Sequence, residues 1–202
     1  ARPEPCDARV RYRHHRVFPF ARPGRTEMDI VHPYVDFDNA AYARIAVDRL
    51  RARGRGRLAL LPPPANLTYA RHRSAGFVEA IERRDLVEIP MHGVTSDSAP
   101  EVIATEIGRL MAARRRPDGL VCASASAAIA AIAAAEDAGL VIGRDFDVAV
   151  KESFSLMRRF RREIEVVHED FHAAGARLAE AVVRTIEGAP PETLQFVDAP
   201  TP

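Results

Sequence analysis

The sequence is poor in cysteine, has no long apolar run, carries almost no net charge and lacks the short motifs of the commonest nucleotide- and metal-using enzymes. Each shortage removes a class of function. The two cysteines, Cys6 and Cys122, cannot build a disulfide framework, and neither is accompanied by His or Cys at zinc-ligand spacing. With no secretory leader at the start, this points to a reducing, cytoplasmic compartment. Arg, Asp or Glu interrupts every apolar run before it reaches membrane-span length, so a soluble chain with no membrane partner is expected. A formal net charge of +1 argues against a globally basic nucleic-acid binder. No Walker lysine loop, dinucleotide glycine fingerprint, serine elbow or metal-ligand pair is present, so no cofactor, no metal and no enzymatic activity are expected.

The composition itself, 47% hydrophobic and 28% charged over 202 residues, suits one large α/β domain or two small lobes. The most informative stretch is 118–152. The turn Pro117-Asp118-Gly119 precedes the apolar run Leu120-Val121-Cys122, then come an alanine-rich segment without Gly or Pro, Gly139, and the run Val148-Ala149-Val150. This is strand, helix, strand, with Ser124 or Ser126 as the N-cap and Gly139 as the stop. Such a unit is a parallel crossover, and parallel sheets bind ligands just beyond the carboxyl ends of their strands. Ser124 and Glu152 occupy such positions. Each is either a ligand contact or, more plainly, a helix cap and a solvated side chain.

Upstream, residues 1–25 contain seven arginines and the pair His14-His15, a pattern that fits the wet face of a helix better than a nucleic-acid footprint. Phe18 to Ala21 reads as a short strand. The alternating Tyr34-Val35-Asp36-Phe37-Asp38-Asn39 leads into a helix with Ala43, Ala46, Val47 and Leu50 on one face and Asp38 or Asn39 as its cap. Asp36 and Asp38 have no companion base or metal ligand, and capping plus a polar ligand contact is their simplest account. Leu58 to Leu61 is a buried strand stopped by Pro62-Pro63-Pro64.

The next helix carries Ala70, Phe77, Ala80 and Ile81 on its apolar stripe, and Arg73 falls on that same stripe. An inward arginine needs a partner, either an internal carboxylate or a ligand rich in hydroxyl or acidic oxygens. Ser98-Ala99-Pro100-Glu101 has the form of a capping box, and Ile103, Ile107, Leu110 and Met111 a core-facing helical stripe. Residues 153–162 set Phe154, Leu156, Met157 and Phe160 among four arginines, which suggests an interface between copies with Phe154 and Met157 in it. Ile164 to Val167 reads as a strand. Glu169 or Asp170 caps a last helix facing inward with Ala174, Leu178, Ala181 and Val182, and Thr193 to Val197 forms a final strand.

The ordered set Val35-Asp-Phe-Asp-Asn39 before a helix, Arg73-Ser-Ala-Gly-Phe77, Pro117-Asp-Gly-Leu-Val-Cys122, Asp145-Phe-Asp-Val148 after Gly139, and Glu169-Asp-Phe171 closely resembles the effector-binding domain of the LacI/GalR family of bacterial transcriptional regulators. The similarity runs from about Phe18 to the end. It implies a two-lobed α/β fold of the periplasmic-binding-protein kind, with parallel sheets flanked by helices, a cleft for a sugar or other small metabolite, and a homodimer. Operator DNA would be reached only through a headpiece that is absent here. By position, the resemblance assigns effector contact to Arg73, Phe171, Glu152, Ser124 and Asn39, with Tyr69 beside them. Ser124 and Glu152 stand where the family usually has Asn and Asp, and Lys151-Glu152 replaces a glycine-aromatic-Asp pattern, which implies a ligand preference of its own. The implied lobes are 1–54 with 166–188, lacking its first strands, and 55–165 with 189–202. A periplasmic sugar-binding protein of a transport system shares the fold and remains the alternative.

Overall fold

The computed structural model describes residues 2–201. Helix α1 (Ala8–His15) precedes strands β1 (Arg22–Pro23) and β2 (Tyr34–Phe37), followed by α2 (Asn39–Ala52), β3 (Arg57–Leu61), α3 (Thr68–Arg83), β4 (Val87–Glu88), α4 (Pro100–Met111), β5 (Gly119–Cys122) and α5 (Ala125–Asp137). Then come β6 (Asp147–Glu152), α6 (Met157–Phe160), β7 (Glu165–His168), α7 (Phe171–Ile186) and β8 (Gln195–Asp198). The fold is α/β, as expected: a five-stranded sheet in the order β4-β3-β5-β6-β7 and a three-stranded sheet in the order β1-β2-β8, with every pairing between these strands parallel.

The larger sheet is buried on both faces, and the two-residue period of its strands decides which side chain goes where. Ala59, Leu61, Leu120, Cys122, Val148 and Val150 join one core with the apolar faces of α4 and α5. Leu58, Val121, Ala149 and Val167 point the other way into a second core with α2 and α3. Alanines fill the buried face of α5 (Ala127, Ala128, Ala131, Ala135), which lets it lie close to the sheet. Helices α2 and α3 touch through Gly76, where an added Cβ would stand 2.5 Å from the Ala40 carbonyl oxygen.

The sheets divide the chain differently from the expected lobes. Helix α2 falls in the expected first lobe, but its stripe of Tyr42, Ala43, Ala46, Val47 and Leu50 is fully buried in the core it shares with β3, β5, β6 and β7. Strand β7 pairs with β6 in the larger sheet, whereas β8 pairs with β2 in the smaller one. The chain therefore crosses between sheets at Asp38 and again after His168. Helix α7, which packs on β2, faces only three short strands. Of its expected inward positions Ala181 is buried, while Ala174, Leu178 and Val182 are only partly covered.

Three local expectations also change. The expected strand at Phe18 to Ala21 forms later, at Arg22–Pro23, because α1 and the turn after it occupy the chain through Val17, whose φ is +52°. The arginine-rich start is indeed helical, capped by Asp7, which accepts from Arg9 N. The capping box at Ser98 is not made: the Ser98 hydroxyl accepts from Thr95 N in the preceding turn, and Ala99 stands at the N-cap of α4. Met157, expected at an interface, is fully buried in the core of α4 and α5. Its backbone N–H is fixed by the Glu152 carboxylate, which turns it inward, whereas Phe154, Leu156 and Phe160 stay exposed.

Candidate functional site

A cleft of about 1000 Å³ opens between the two sheets. One wall carries Ala123, Ser124 and Lys151, at the carboxyl ends of β5 and β6, with Glu169 and Asp170 just after β7. The other carries Val35 to Phe37 of β2, Phe171 at the start of α7, and Asp198 of β8. The chain runs outward from β3 to β4 and then back across β3 to β5, so the cleft lies at a topological switch point, where adjacent loops diverge and leave a crevice.

Arg73 anchors this wall. It lies in the second turn of α3 and is 1% exposed. Its guanidinium donates to Asn39 Oδ1 at 2.5 Å and to the Ala123 carbonyl at 3.1 Å, and lies 4.8 Å from the centre of the Tyr42 ring and 5.9 Å from that of Tyr69. Asn39 is oriented by donating its own Nδ2 to the Phe37 carbonyl at 3.0 Å, and Tyr42 donates its hydroxyl to the Cys122 carbonyl at 2.7 Å. Helices α2 and α3 and the β5–α5 turn are thereby locked around one cation. Among the described residues no carboxylate pairs with Arg73, and its Nε has no partner. Of the two partners expected from sequence, the internal carboxylate is absent and neutral groups stand in its place. Burial lowers the Arg73 pKa, with Tyr42 and Tyr69 acting the other way, and the guanidinium remains charged.

Five of the six residues expected to bind an effector line the cleft: Arg73, Phe171, Ser124, Asn39 and Tyr69. The Ser124 hydroxyl caps α5 by accepting from Ala127 N at 3.3 Å, and the residue also borders the cleft. Phe171 is half exposed and offers a ring face to the cleft.

Glu152 does not line the cleft. It is buried on the opposite side of β6, where its carboxylate accepts from Leu156 N at 3.2 Å and Met157 N at 2.8 Å and so caps α6. The residue before it takes its place. Lys151 forms an ion pair with Glu169 and lies 5.1 Å from the Phe37 ring centre and 5.7 Å from that of Phe171. Burial draws the Lys151 pKa down and Glu169 pushes it back up. Alternation along β6 was the signal in the sequence: adjacent residues face opposite ways, so only one of Lys151 and Glu152 could reach the cleft.

Asp36, already noted for a polar contact, is buried in the cleft wall and paired with Arg25 at 3.0 Å. Burial raises its pKa, with Arg25 opposing. Arg2 and Pro3 lie across another part of the cleft, tied by the ion pair of Arg2 with Asp97 and by the hydrogen bond from Thr68 N to the Pro3 carbonyl at 3.1 Å. Among the described residues no three His, Cys, Asp or Glu side chains cluster to hold a metal ion, and no helix is long and apolar enough to cross a membrane.

Residues 47–201 match the family described as the periplasmic binding protein-like domain. The chain belongs to that family. Among its relatives, this periplasmic binding protein-like domain is 28% identical over 158 residues to the HTH-type transcriptional regulator AglR of Rhizobium meliloti, a match covering 75% of this chain and 44% of AglR. It is 26% identical over 194 residues to the HTH-type transcriptional regulator reg1 of Streptomyces lividans, covering 92% of this chain and 54% of reg1. The chain thus spans about half the length of these curated relatives. A LacI-family regulatory protein from Chloroflexus aggregans superimposes with a TM-score of 0.86 at 27% identity, covering 98% of this chain and 71% of that one. The solved complex of the transcriptional regulator CelR with cellobiose shares the fold, with a TM-score of 0.83 at 19% identity over 98% of this chain and 61% of that chain. Sequence and fold are those of the effector-binding domain of LacI-type regulators, and the curated relatives are named as transcriptional regulators and repressors rather than enzymes.

Proposed function

We propose that the cleft binds a sugar-class effector, and that in an intact cytoplasmic LacI-type regulator this binding changes the hold of a DNA-reading headpiece on its operator. The observation that carries the reading is Arg73, a buried cation in the wall of a cleft of about 1000 Å³, held by neutral acceptors with its Nε–H unspent, beside the aromatic rings of Tyr69 and Phe171. A guanidinium fork supplies directed donors to hydroxyl oxygens, and an aromatic face receives the apolar side of a sugar ring. The CelR structure with cellobiose supports a sugar as the ligand class for this fold.

Because the two walls of the cleft belong to different sheets, a ligand touching both favours one relative arrangement, and it acts on DNA binding only through its differential affinity for the two arrangements. Two copies meet, in this reading, through Phe154, Leu156 and Phe160, which are 77%, 61% and 55% exposed; Met157, being core, takes no part. The test of effector binding is a melting-temperature screen of the chain against mono- and disaccharides, followed by calorimetry, since a ligand that binds only the folded state raises the melting temperature. No shift with any sugar refutes it. Sedimentation tests the dimer: Phe154→Glu with Phe160→Glu turns a dimer into a monomer, and a wild type already monomeric at micromolar concentration refutes the interface.

A further inference from the structure

On the effector-binding reading above, the charge balance at the floor of the cleft selects among sugars. Five carboxylates border the cleft: Asp36, Asp97, Glu169, Asp170 and Asp198. Asp36 is paired with Arg25, Asp97 with Arg2 and Asp198 with Arg177. Asp170 is exposed and turned to its own helix, capping α7 with its carboxylate accepting from Ala173 N at 2.9 Å, where the helix dipole stabilises it. Glu169 is left facing two cations. It pairs with Lys151 and also acts on the charge of Arg73, while Lys151 and Arg73 oppose each other. These three side chains carry a net charge of one positive unit.

The surroundings keep that charge in place. Tyr42 and Tyr69 flank the Arg73 guanidinium, and Phe37 and Phe171 flank the Lys151 ammonium, so aromatic rings support both cations without neutralising them. Donors also outnumber acceptors. The Arg73 Nε has no partner, and of the three N–H groups on Lys151 one goes to Glu169. Lys151 is, moreover, the single lysine among the 29 Lys and Arg residues of the chain. The compact, strongly hydrated charge of an ammonium is thus found only where the cleft has an uncompensated cation.

We propose that the effector is a sugar acid, a hexuronate or aldonate whose one carboxylate lies between Lys151 and Arg73 while its carbon skeleton packs on Phe171. A carboxylate supplies the missing acceptors and brings the cluster to neutrality. A neutral sugar does only the first, and a phosphate brings more negative charge than the cluster lacks.

The test is calorimetric titration of the chain with D-glucuronate, D-galacturonate and D-gluconate, set against glucose, galactose and glucose 6-phosphate. At least one acid is expected to bind about tenfold or more tightly than its neutral parent, with the preference shrinking as salt is raised. Lys151→Met should reduce that preference by about tenfold, whereas Glu169→Gln, by removing the competing carboxylate, should strengthen acid binding. The sole lysine permits a second readout: the bound acid protects Lys151 from acetylation, followed by mass spectrometry. Equal or tighter binding of the neutral parents, preference for the phosphate, no binding by any of the acids, or an acid preference untouched by Lys151→Met each overturns the inference. Neutral sugars binding alone would do so while leaving the effector-binding reading intact, and that reading falls separately if no sugar of either kind binds.

Discussion

Replacing Arg73 by methionine separates ligand recognition from folding. The guanidinium is 1% exposed and donates to Asn39 Oδ1 and the Ala123 carbonyl. Methionine retains much of the stem and removes every donor. The two acceptors left without a partner cost about 1–3 kcal/mol each. Against this, the fold no longer buries a cation without a carboxylate, a relief of several kcal/mol on the order of what apolar replacement of buried charges gives. The opposing effects leave a net stability change within about 2 kcal/mol, or roughly 4–8 °C in melting temperature for a chain of this size. Affinity has no such offset. Losing charge-assisted hydrogen bonds to the ligand weakens binding by about 2–4 kcal/mol, roughly 30- to 700-fold. Scanning calorimetry and titration with whichever sugar raises the wild-type melting temperature measure both quantities on the same sample. Affinity within about threefold of wild type would remove Arg73 from the site. A loss of more than roughly 10 °C would show that its stabilising bonds outweigh the cost of burying it.

Two further outcomes follow from the packing and the cleft wall. Gly76→Ala places a methyl group 2.5 Å from the Ala40 carbonyl oxygen, so α2 and α3 must separate, and chemical denaturation should show a loss of about 1–3 kcal/mol from overpacking. Asp36 has its pKa raised by burial from 3.8. A carboxyl with a raised folded pKa contributes stability that is fully present below 3.8 and lost as pH rises through the folded value. Relative to wild type, Asp36→Asn should therefore gain stability steadily as pH is raised through that window. Melting curves of the pair between about pH 3.5 and 7 measure the difference, and a variant-minus-wild-type stability that stays constant or falls with rising pH refutes the assignment.

Much of this protein was determined locally, and was therefore readable in order along the chain. The apolar runs at Leu58 to Leu61 and Val148 to Val150 could only be strands, the alanine-rich stretch after Ser124 could only be a helix, and Asp38, Ser124 and Asp170 each cap the helix that follows by accepting from its own N–H groups. Arg73 announced itself because a charge on an apolar stripe is expensive wherever the helix packs. Tertiary structure decided what depends on the company each element keeps. Whether Lys151 or Glu152 reaches the cleft depends on which face of β6 the cleft lies against, and the proximity of Met157 to the Glu152 carboxylate turned the one into core and the other into a cap. The partner of Arg73 was equally out of reach, since Asn39 and Ala123 are 34 and 50 residues away along the chain. Sheet membership was the largest such decision. The patterns of α2, β7 and β8 do not say against which sheet each lies; the packed core and the pairing with β6 assign the first two to the larger sheet, and pairing with β2 assigns the last to the smaller.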